Sequence, residues 1–481
     1  MNTVTADVVV IGGGSAGCVV AGRLAERGRD VLLVEAGPDY GAADAGRWPT
    51  DLMSARMLAT SSHDWGYTSG RWVFERARVM GGCSAHNGAI AAIGQRQEYD
   101  DWGLPGWRGD DVAPLYTEIL QRMRVRAYER HEAGPFHLRC LEAAEELGWP
   151  IASDLCDLDA GPSFGLETVN VVGDVRWNAA FAYVDPVRDR LRILDETLVD
   201  RLVPGSDGTT VLGVRHGEPV TIHAGTVVLS CGAYGSPQVL ERSGIGDPAV
   251  LRAAGVEVRH ELPGVGTNLH DHPMAHADRT VAPQLQAWLD EVAATGFLPE
   301  EQTLGKFVSS QSRDGRYDLH LFPVCASDQT SVFYGRVHVE VSCVDVRSRG
   351  VIHITSPDPA SHPHIDHGYL SDPEGHDLAV MRDGLALAEQ LLSHPRLAEV
   401  LGERITDMSH DQAIFDTVAH YYHPVGSCAM GDGPMSVCDA DGRVHGVPGL
   451  VVADASVMPQ ITRANTNMPA LMIGERIART L

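Results

Sequence analysis

A chain of 481 residues is too long for one compact core and implies roughly two to four structural units, or one large interleaved fold. Hydrophobic residues make up 44% and charged residues 21%, which is enough for a packed interior and shows no bias towards disorder. With 38 basic against 64 acidic residues, the formal net charge of −26 repels nucleic-acid phosphates and anionic membrane surfaces, and argues against both as partners.

Nine cysteines, an odd number and dispersed without a C-x-x-C pair, match neither a disulfide framework nor a zinc-ligand pattern. They point to a reduced, cytoplasmic protein with no metal site. No apolar run approaches the ~18 to 20 residues of a membrane span. The first such run, Val8 to Ile11, starts too early and stops too soon at glycine for a signal peptide. A single lysine, Lys306, stands among the basic residues.

The opening pattern predicts a strand, a turn, a helix and a second strand. Residues 7–11 read as a buried parallel strand, and Gly12-Gly13-Gly14-Ser15-Ala16-Gly17 as the turn. A helix over 18–27 follows, then a strand over 30–34 ending at Glu35. Glycine at 12, 14 and 17 suits tight turning, close backbone approach and helix packing, and the helix N-terminus offers N–H groups to a pyrophosphate. Glu35 lies 18 residues beyond Gly17, where a carboxylate can accept from the ribose hydroxyls of an adenosine half. This combination predicts an adenine dinucleotide; a ligand-free glycine turn is the alternative.

Further along, residues 150–162 are acidic and rich in turn formers, and suit a crossing between layers. Residues 191–203 and 211–214 read as hairpin strands, and 226–230 as another buried strand running into Gly232. Alternating apolar segments at 319–324, 336–344 and 351–355 predict an antiparallel sheet with one wet face. Residues 376–392 carry helical spacing, and the end returns to strand (450–453) then helix (468–481). A nucleotide unit assembled from separated segments, with a β-rich unit inserted, is the economical arrangement.

Several stretches resemble one known family. Ala77-Arg78-Val79-Met80-Gly81-Gly82-Cys83-Ser84-Ala85-His86-Asn87-Gly88 is similar to the first signature of the glucose-methanol-choline (GMC) oxidoreductases, and the segment from Gly232 to Gly246 to the second. Gly264 to Pro273 fits the internal linker. Tyr422-His423-Pro424-Val425-Gly426-Ser427, Val452 to Pro459 and Asn465-Thr466-Asn467-Met468-Pro469 complete the pattern in family order. Within the family the motif texture is nearest to the choline oxidase branch.

The resemblance implies a mixed α/β and α+β architecture. A Rossmann-like FAD-binding domain would be built from residues 1–155, 191–275 and 420–481, and a substrate domain from 156–190 and 276–419, with an antiparallel sheet flanked by helices. FAD would be held by Gly12, Gly14, Ser15, Ala16, Gly17, Glu35 and Ala36 at one end. Val199 would offer its backbone to the adenine, and Arg78, Gly82, Cys83, His86, Asn87, Gly88 and Gly232 would follow along the cofactor. Asp454, Ala455, Asn465, Thr466 and Met468 would meet the remainder. His86 stands where the choline oxidase branch is covalently attached to its flavin; a histidine packed beside the ring without a bond is the alternative.

The implied reaction is oxidation of an alcohol to a carbonyl. Hydride removal from carbon requires the hydroxyl proton to leave, and a neutral imidazole is the natural acceptor near neutral pH. His423 matches the family's catalytic histidine, and Asn465 its partner position, where an amide can donate to the developing alkoxide. The glutamate that holds the quaternary ammonium in choline oxidase aligns with Thr303, so the pocket is expected to lack that carboxylate. Thr303, Lys306, Asp345 and Arg347 would then suit a polar primary alcohol or polyol. Tyr421 replaces a small residue near His423 and could crowd the approach of oxygen; His420 and Tyr421 otherwise read as packing residues.

The implied partners are a small-molecule alcohol and an electron acceptor, oxygen or quinone-like, and a homodimer stays open. Two further function classes stay open beside the oxidoreductase: a lyase or photodecarboxylase on the same flavin scaffold, and a flavin-binding protein without catalysis.

Overall fold

The structure, a computed structural model, describes residues 3–56, 58–296, 298–327, 331 and 334–481. The glycine-rich opening folds as strand Thr3–Ile11, helix Ser15–Glu26 and strand Val31–Val34. The helix begins at Ser15, earlier than the periodicity suggests, because Ala16 and Gly17 already form its first turn. Val8, Val9 and Val10 are almost fully buried, as expected of a strand covered on both faces.

Seven strands make the first sheet. Its order is Arg192–Leu194, Val31–Val34, Thr3–Ile11, Glu218–Leu229, Gly208–Arg215 and Thr197–Gly205, with Leu450–Val452 also pairing with Glu218–Leu229. The first four strands run parallel, and the last three of that order form an antiparallel meander. The single strand expected over 191–203 is therefore two: its start joins the parallel side and its remainder the meander. Glu196, at φ 46, turns the chain between them.

The chain's end returns to this sheet. Leu450–Val452 pairs in parallel with Val227 to Leu229, and helix Asn467–Ala478 packs across the first helix. Their backbones approach so closely that a Cβ at Gly474 would lie 2.8 Å from the Ala16 carbonyl oxygen and 2.9 Å from Val19 Cβ.

Eight strands make the second sheet, in the order Leu401–Arg404, Pro273–Val281, Arg336–Cys343, Leu319–Cys325, Thr303–Phe307, Ser163–Leu166 and Ile151–Ala152, with Ala419–His420 also on Pro273–Val281. All pairs are antiparallel except the last, Ile151–Ala152 with Ser163–Leu166. The expected wet face is absent at its centre: every residue of Thr303–Phe307 and Leu319–Cys325 is buried. Helices Pro135–Glu146 and His376–Leu392 cover one face through Phe136, Cys140, Val380 and Met381. On the other face, Leu304, Phe322 and Met274 pack with Tyr421 and Ile90. Residues 351–355 do not join this sheet; Val351–His353 forms a separate ribbon with His364–Asp366.

The two sheets share the chain unevenly with the segments expected from sequence. Helix Pro135–Glu146 and strand Ile151–Ala152 lie within 1–155 yet build the second sheet's layer, and Pro273–Val281 starts within 191–275.

Candidate active site

A cleft of about 580 Å3 is lined by the C-terminal ends of the first sheet's parallel strands and by residues next to the second sheet. At one end Gly12 adopts φ 99, and any Cβ there would overlap the Ser230 carbonyl. The first helix has Gly14 at its N-cap with no side-chain cap, so its leading N–H groups stay open to an anion. Ser15 Oγ donates to Asn467 Oδ1 (2.7 Å), which ties this N-terminus to that of the last helix. Two positive helix ends thus meet at the cleft.

Glu35 faces the same space while its carboxylate accepts the Gly13 N–H (2.7 Å) and the Gly37 N–H (2.8 Å). Burial pushes its carboxyl up to about 7 despite those bonds. Asp454 similarly accepts from Gly232 N–H (2.9 Å), Ser236 Oγ (2.6 Å) and Ser456 N–H (2.8 Å). It joins the loops that follow two adjacent strands.

Of the residues picked out from sequence, Gly12, Gly14, Ser15, Ala16, Glu35, Ala36, Arg78, Gly82, Cys83, His86, Asn87, Gly88, Val199, Gly232, Asp454, Ala455, Asn465 and Thr466 all line the cleft, together with His423. Two do not reach it. Gly17 packs beneath Gly12, whose carbonyl a Cβ would overlap, and the Met468 side chain is fully buried in the core of the first sheet. Their service is to packing. His420 also points elsewhere and pairs with Glu75 at 3.3 Å.

At the reactive end, His423 donates its main-chain N–H to the Asp271 carboxylate (2.9 Å), and its Nδ1 lies 3.0 Å from Nδ1 of His272. Burial, with His272 and His320 alongside, holds the His423 imidazole well below the ordinary histidine range, so it is neutral. Asn465 Oδ1, the Tyr421 hydroxyl and His86 Nδ1 are buried without a hydrogen-bond partner. Cys83 lies beside Arg76 and His86; burial alone would raise its thiol, but those neighbours bring it down to about 6. Unmet polar atoms at one end and open helix N-termini at the other fit an elongated dinucleotide bearing a polar ring.

Two family models match, both described as GMC oxidoreductase: one over residues 6–274 and one over 346–474. The chain belongs to the GMC oxidoreductase family. It is 33% identical to choline oxidase of Arthrobacter globiformis, over 98% of this chain and 93% of that protein. It is 32% identical to oxygen-dependent choline dehydrogenase of Paraburkholderia xenovorans over the same shares. Among solved structures, pyridoxine 4-oxidase from Mesorbium loti superposes with a TM-score of 0.86 at 25% identity, covering 99% of each chain. A variant of the Aspergillus oryzae RIB40 formate oxidase shares the fold at 0.86 and 21%, covering 99% and 98%. As a GMC oxidoreductase the protein uses FAD and acts on CH–OH groups. No helix among the described residues is long and apolar enough to cross a membrane.

For this GMC oxidoreductase the expected specificity residues are misplaced by sequence reasoning. None of Thr303, Lys306, Asp345 and Arg347 lines the cleft. Thr303 Oγ1 pairs with His137 Nδ1 (3.0 Å), and Lys306 Nζ, fully buried, donates to the Leu155 carbonyl (2.6 Å). Asp345 pairs with Arg463 (3.1 Å) and Arg347 with Glu374 (2.8 Å). Nearby, Cys343, His376 and Asp377 bring ligand atoms within 4.8 Å of one another, but the Asp377 carboxylate is taken by the Arg347 and Ser348 N–H groups, at 2.9 Å each.

Carboxylates are present in the cleft after all. Glu300, Glu301 and Glu340 line it, and Glu340 Oε1 is 3.2 Å from His338 Nε2. Behind them Glu167 is 1% exposed and neither of its oxygens has a partner. Burial pushes Glu167 up to about 8, and burial with Glu167, Glu340 and Glu300 alongside pushes Glu301 well above the ordinary carboxyl range. A single residue, Gln302, separates Glu301 from Thr303. A motif alignment cannot show which of several nearby positions faces a cavity, so the sequence signal was the paired Glu300-Glu301 itself. His272 and His320 were also missed, although His272 sits within the quoted linker segment.

Proposed function

We propose that this enzyme oxidises a polar primary alcohol to the aldehyde, with His423 as the base. Bound FAD supplies the hydride acceptor. Gly12, Gly14, Ser15 and Glu35 would hold its adenosine and pyrophosphate portion, and Cys83, His86, Asn87 and Asn465 its ring portion. His423 takes the hydroxyl proton as the carbon gives up its hydride, and Asn465 orients the oxygen. What carries this reading is the buried, neutral imidazole of His423 on the wall of the cleft that Asn465, with its unmet amide oxygen, also lines. A group already protonated could not accept a proton at that step.

The substrate's far end faces Glu301 and Glu340, which suit hydrogen-bond donors: hydroxyl groups, or an ammonium. The names of the relatives, choline oxidase and oxygen-dependent choline dehydrogenase, make an ammonium-bearing alcohol the first candidate and oxygen the first acceptor to test. Tyr421, its ring centroid 4.4 Å from that of His423, narrows the same end and keeps a quinone-like acceptor as the second reading. His86 Nδ1, buried and unpartnered, suits a covalent link to the flavin.

Anaerobic mixing with a panel of amino alcohols, polyols and simple primary alcohols tests the assignment. Loss of the oxidised flavin absorbance with at least one is the expected outcome; an unbleached flavin across the panel rejects it. Re-exposure to oxygen or to a quinone dye then distinguishes the acceptors, and acid precipitation shows whether the flavin stays with the protein.

A further inference from the structure

Residues 270–272 form a clamp on residues 423–425. His270 and Val425 exchange main-chain hydrogen bonds of 3.2 and 2.9 Å, and the Asp271 carboxylate accepts the His423 N–H. His272 then places its imidazole edge to face against that of His423, with the planes at 88° and the two Nδ1 atoms 3.0 Å apart. Tyr422 sits at φ 64, a left-handed conformation that a tyrosine keeps only under restraint from its surroundings. The ring of His423 is therefore oriented by contacts on its far side from the cleft, and His272, wholly buried, is the nearest of them.

Two nitrogens 3.0 Å apart share one proton, and with both rings neutral only two arrangements exist. With the proton on His423 Nδ1, the His423 Nε2 holds a lone pair. With the proton on His272 Nδ1, the His423 Nε2 carries hydrogen and cannot take another. Of the two, only the first lets His423 act as the base, so the reading of His423 sets the direction of this bond.

We propose that His272 is a positioning residue for the oxidation: its Nδ1 accepts the Nδ1–H of His423 and so keeps the Nε2 lone pair of His423 available to the substrate hydroxyl. This rests on the reading of His423 as the base. In the step, the substrate O–H bond breaks and its proton bonds to His423 Nε2, while the hydride leaves the same substrate's carbon for the flavin. The resulting imidazolium keeps its Nδ1–H bond to His272, which spreads the new charge over two rings. His320, Tyr421, Arg76 and His420 also surround His423 and are left unchanged in the test.

The test compares the FAD-loaded enzyme with His272→Leu, His272→Asn and His423→Asn. The leucine variant is expected to lose about 100-fold in kcat with KM within about 3-fold and the flavin content unchanged. The asparagine variant, whose amide oxygen can stand where Nδ1 stood, is expected to recover about 10-fold of that loss. In 15N-histidine spectra, the signal missing from His423→Asn should report a protonated Nδ1 in the parent and a tautomer mixture in His272→Leu. A leucine variant within about twofold of the parent, an asparagine variant as impaired as the leucine one, or an unprotonated Nδ1 in the parent overturns the proposal. Full activity in His423→Asn instead removes the base reading itself, whatever the His272 variants do.

Discussion

Ser15 Oγ and Asn467 Oδ1 meet at 2.7 Å across 452 residues of sequence. The hydrogen bond joins the N-termini of the first and last helices, so segments from both ends of the chain line the same part of the cleft. Ser15→Ala removes the donor at the end of the cleft proposed to hold the cofactor's phosphates. The expected result is weaker FAD retention, by about 5- to 10-fold in Kd, read by titrating apoprotein with FAD. Unchanged affinity would assign the bond to fold stability only.

His423→Ala should leave FAD bound and lower the rate of anaerobic flavin reduction by about 10²- to 10⁴-fold, the range that positioned acid–base groups supply. Stopped-flow absorbance measures it directly. A loss under tenfold would mean that another group takes the proton.

Burial holds the Glu301 carboxyl protonated until a cation binds beside it and draws it into the ionised form, so Glu301→Gln should raise KM for an ammonium-bearing alcohol by about tenfold or more and change KM for an uncharged primary alcohol by less than about threefold. Equal effects on both would show that Glu301 contributes shape rather than charge.

Burial pushes the Glu167 carboxyl up from the ordinary glutamate range to about 8. Between the ordinary glutamate value of about 4.3 and about 8, the native carboxyl keeps a proton that the unfolded chain has released. The native state therefore binds more protons, and stability falls as pH rises through that window. Glu167→Gln should remove this slope: its Tm advantage over the parent should be larger at pH 8 than at pH 5 in thermal melts.

Gly474→Leu should cost about 1 to 3 kcal/mol of stability, because the side chain would start 2.8 Å from the Ala16 carbonyl where two helix backbones already touch. Urea unfolding followed by circular dichroism gives the value. A neutral result would show that the last helix can shift away from the first.

Local pattern was strong wherever function needs a particular backbone. The turn from Gly12 to Gly17, with a strand before it, a helix after it and Glu35 at the second strand's end, was legible because glycine positions and hydrophobic periods report local conformation directly. Helix His376–Leu392 was legible for the same reason. The split at Glu196 was not, because a single residue in left-handed backbone leaves no periodic mark. Nor was the dry face of the second sheet: whether Thr303–Phe307 meets water depends on what packs against it.

The pocket wall marks the same division. Sequence alone determined the nucleotide turn, the order of the family motifs and the imidazole at position 423, since each is carried by residues adjacent in the chain. Only the tertiary structure decided that Glu301 and Glu340 face the cleft while Lys306 and Asp345 are sealed away from it, and that His272 stands behind His423. The physical reason is that a side chain's surroundings are set by long-range packing. Strand alternation sends neighbours to opposite faces, and which face becomes the cavity is fixed only when distant segments close over it.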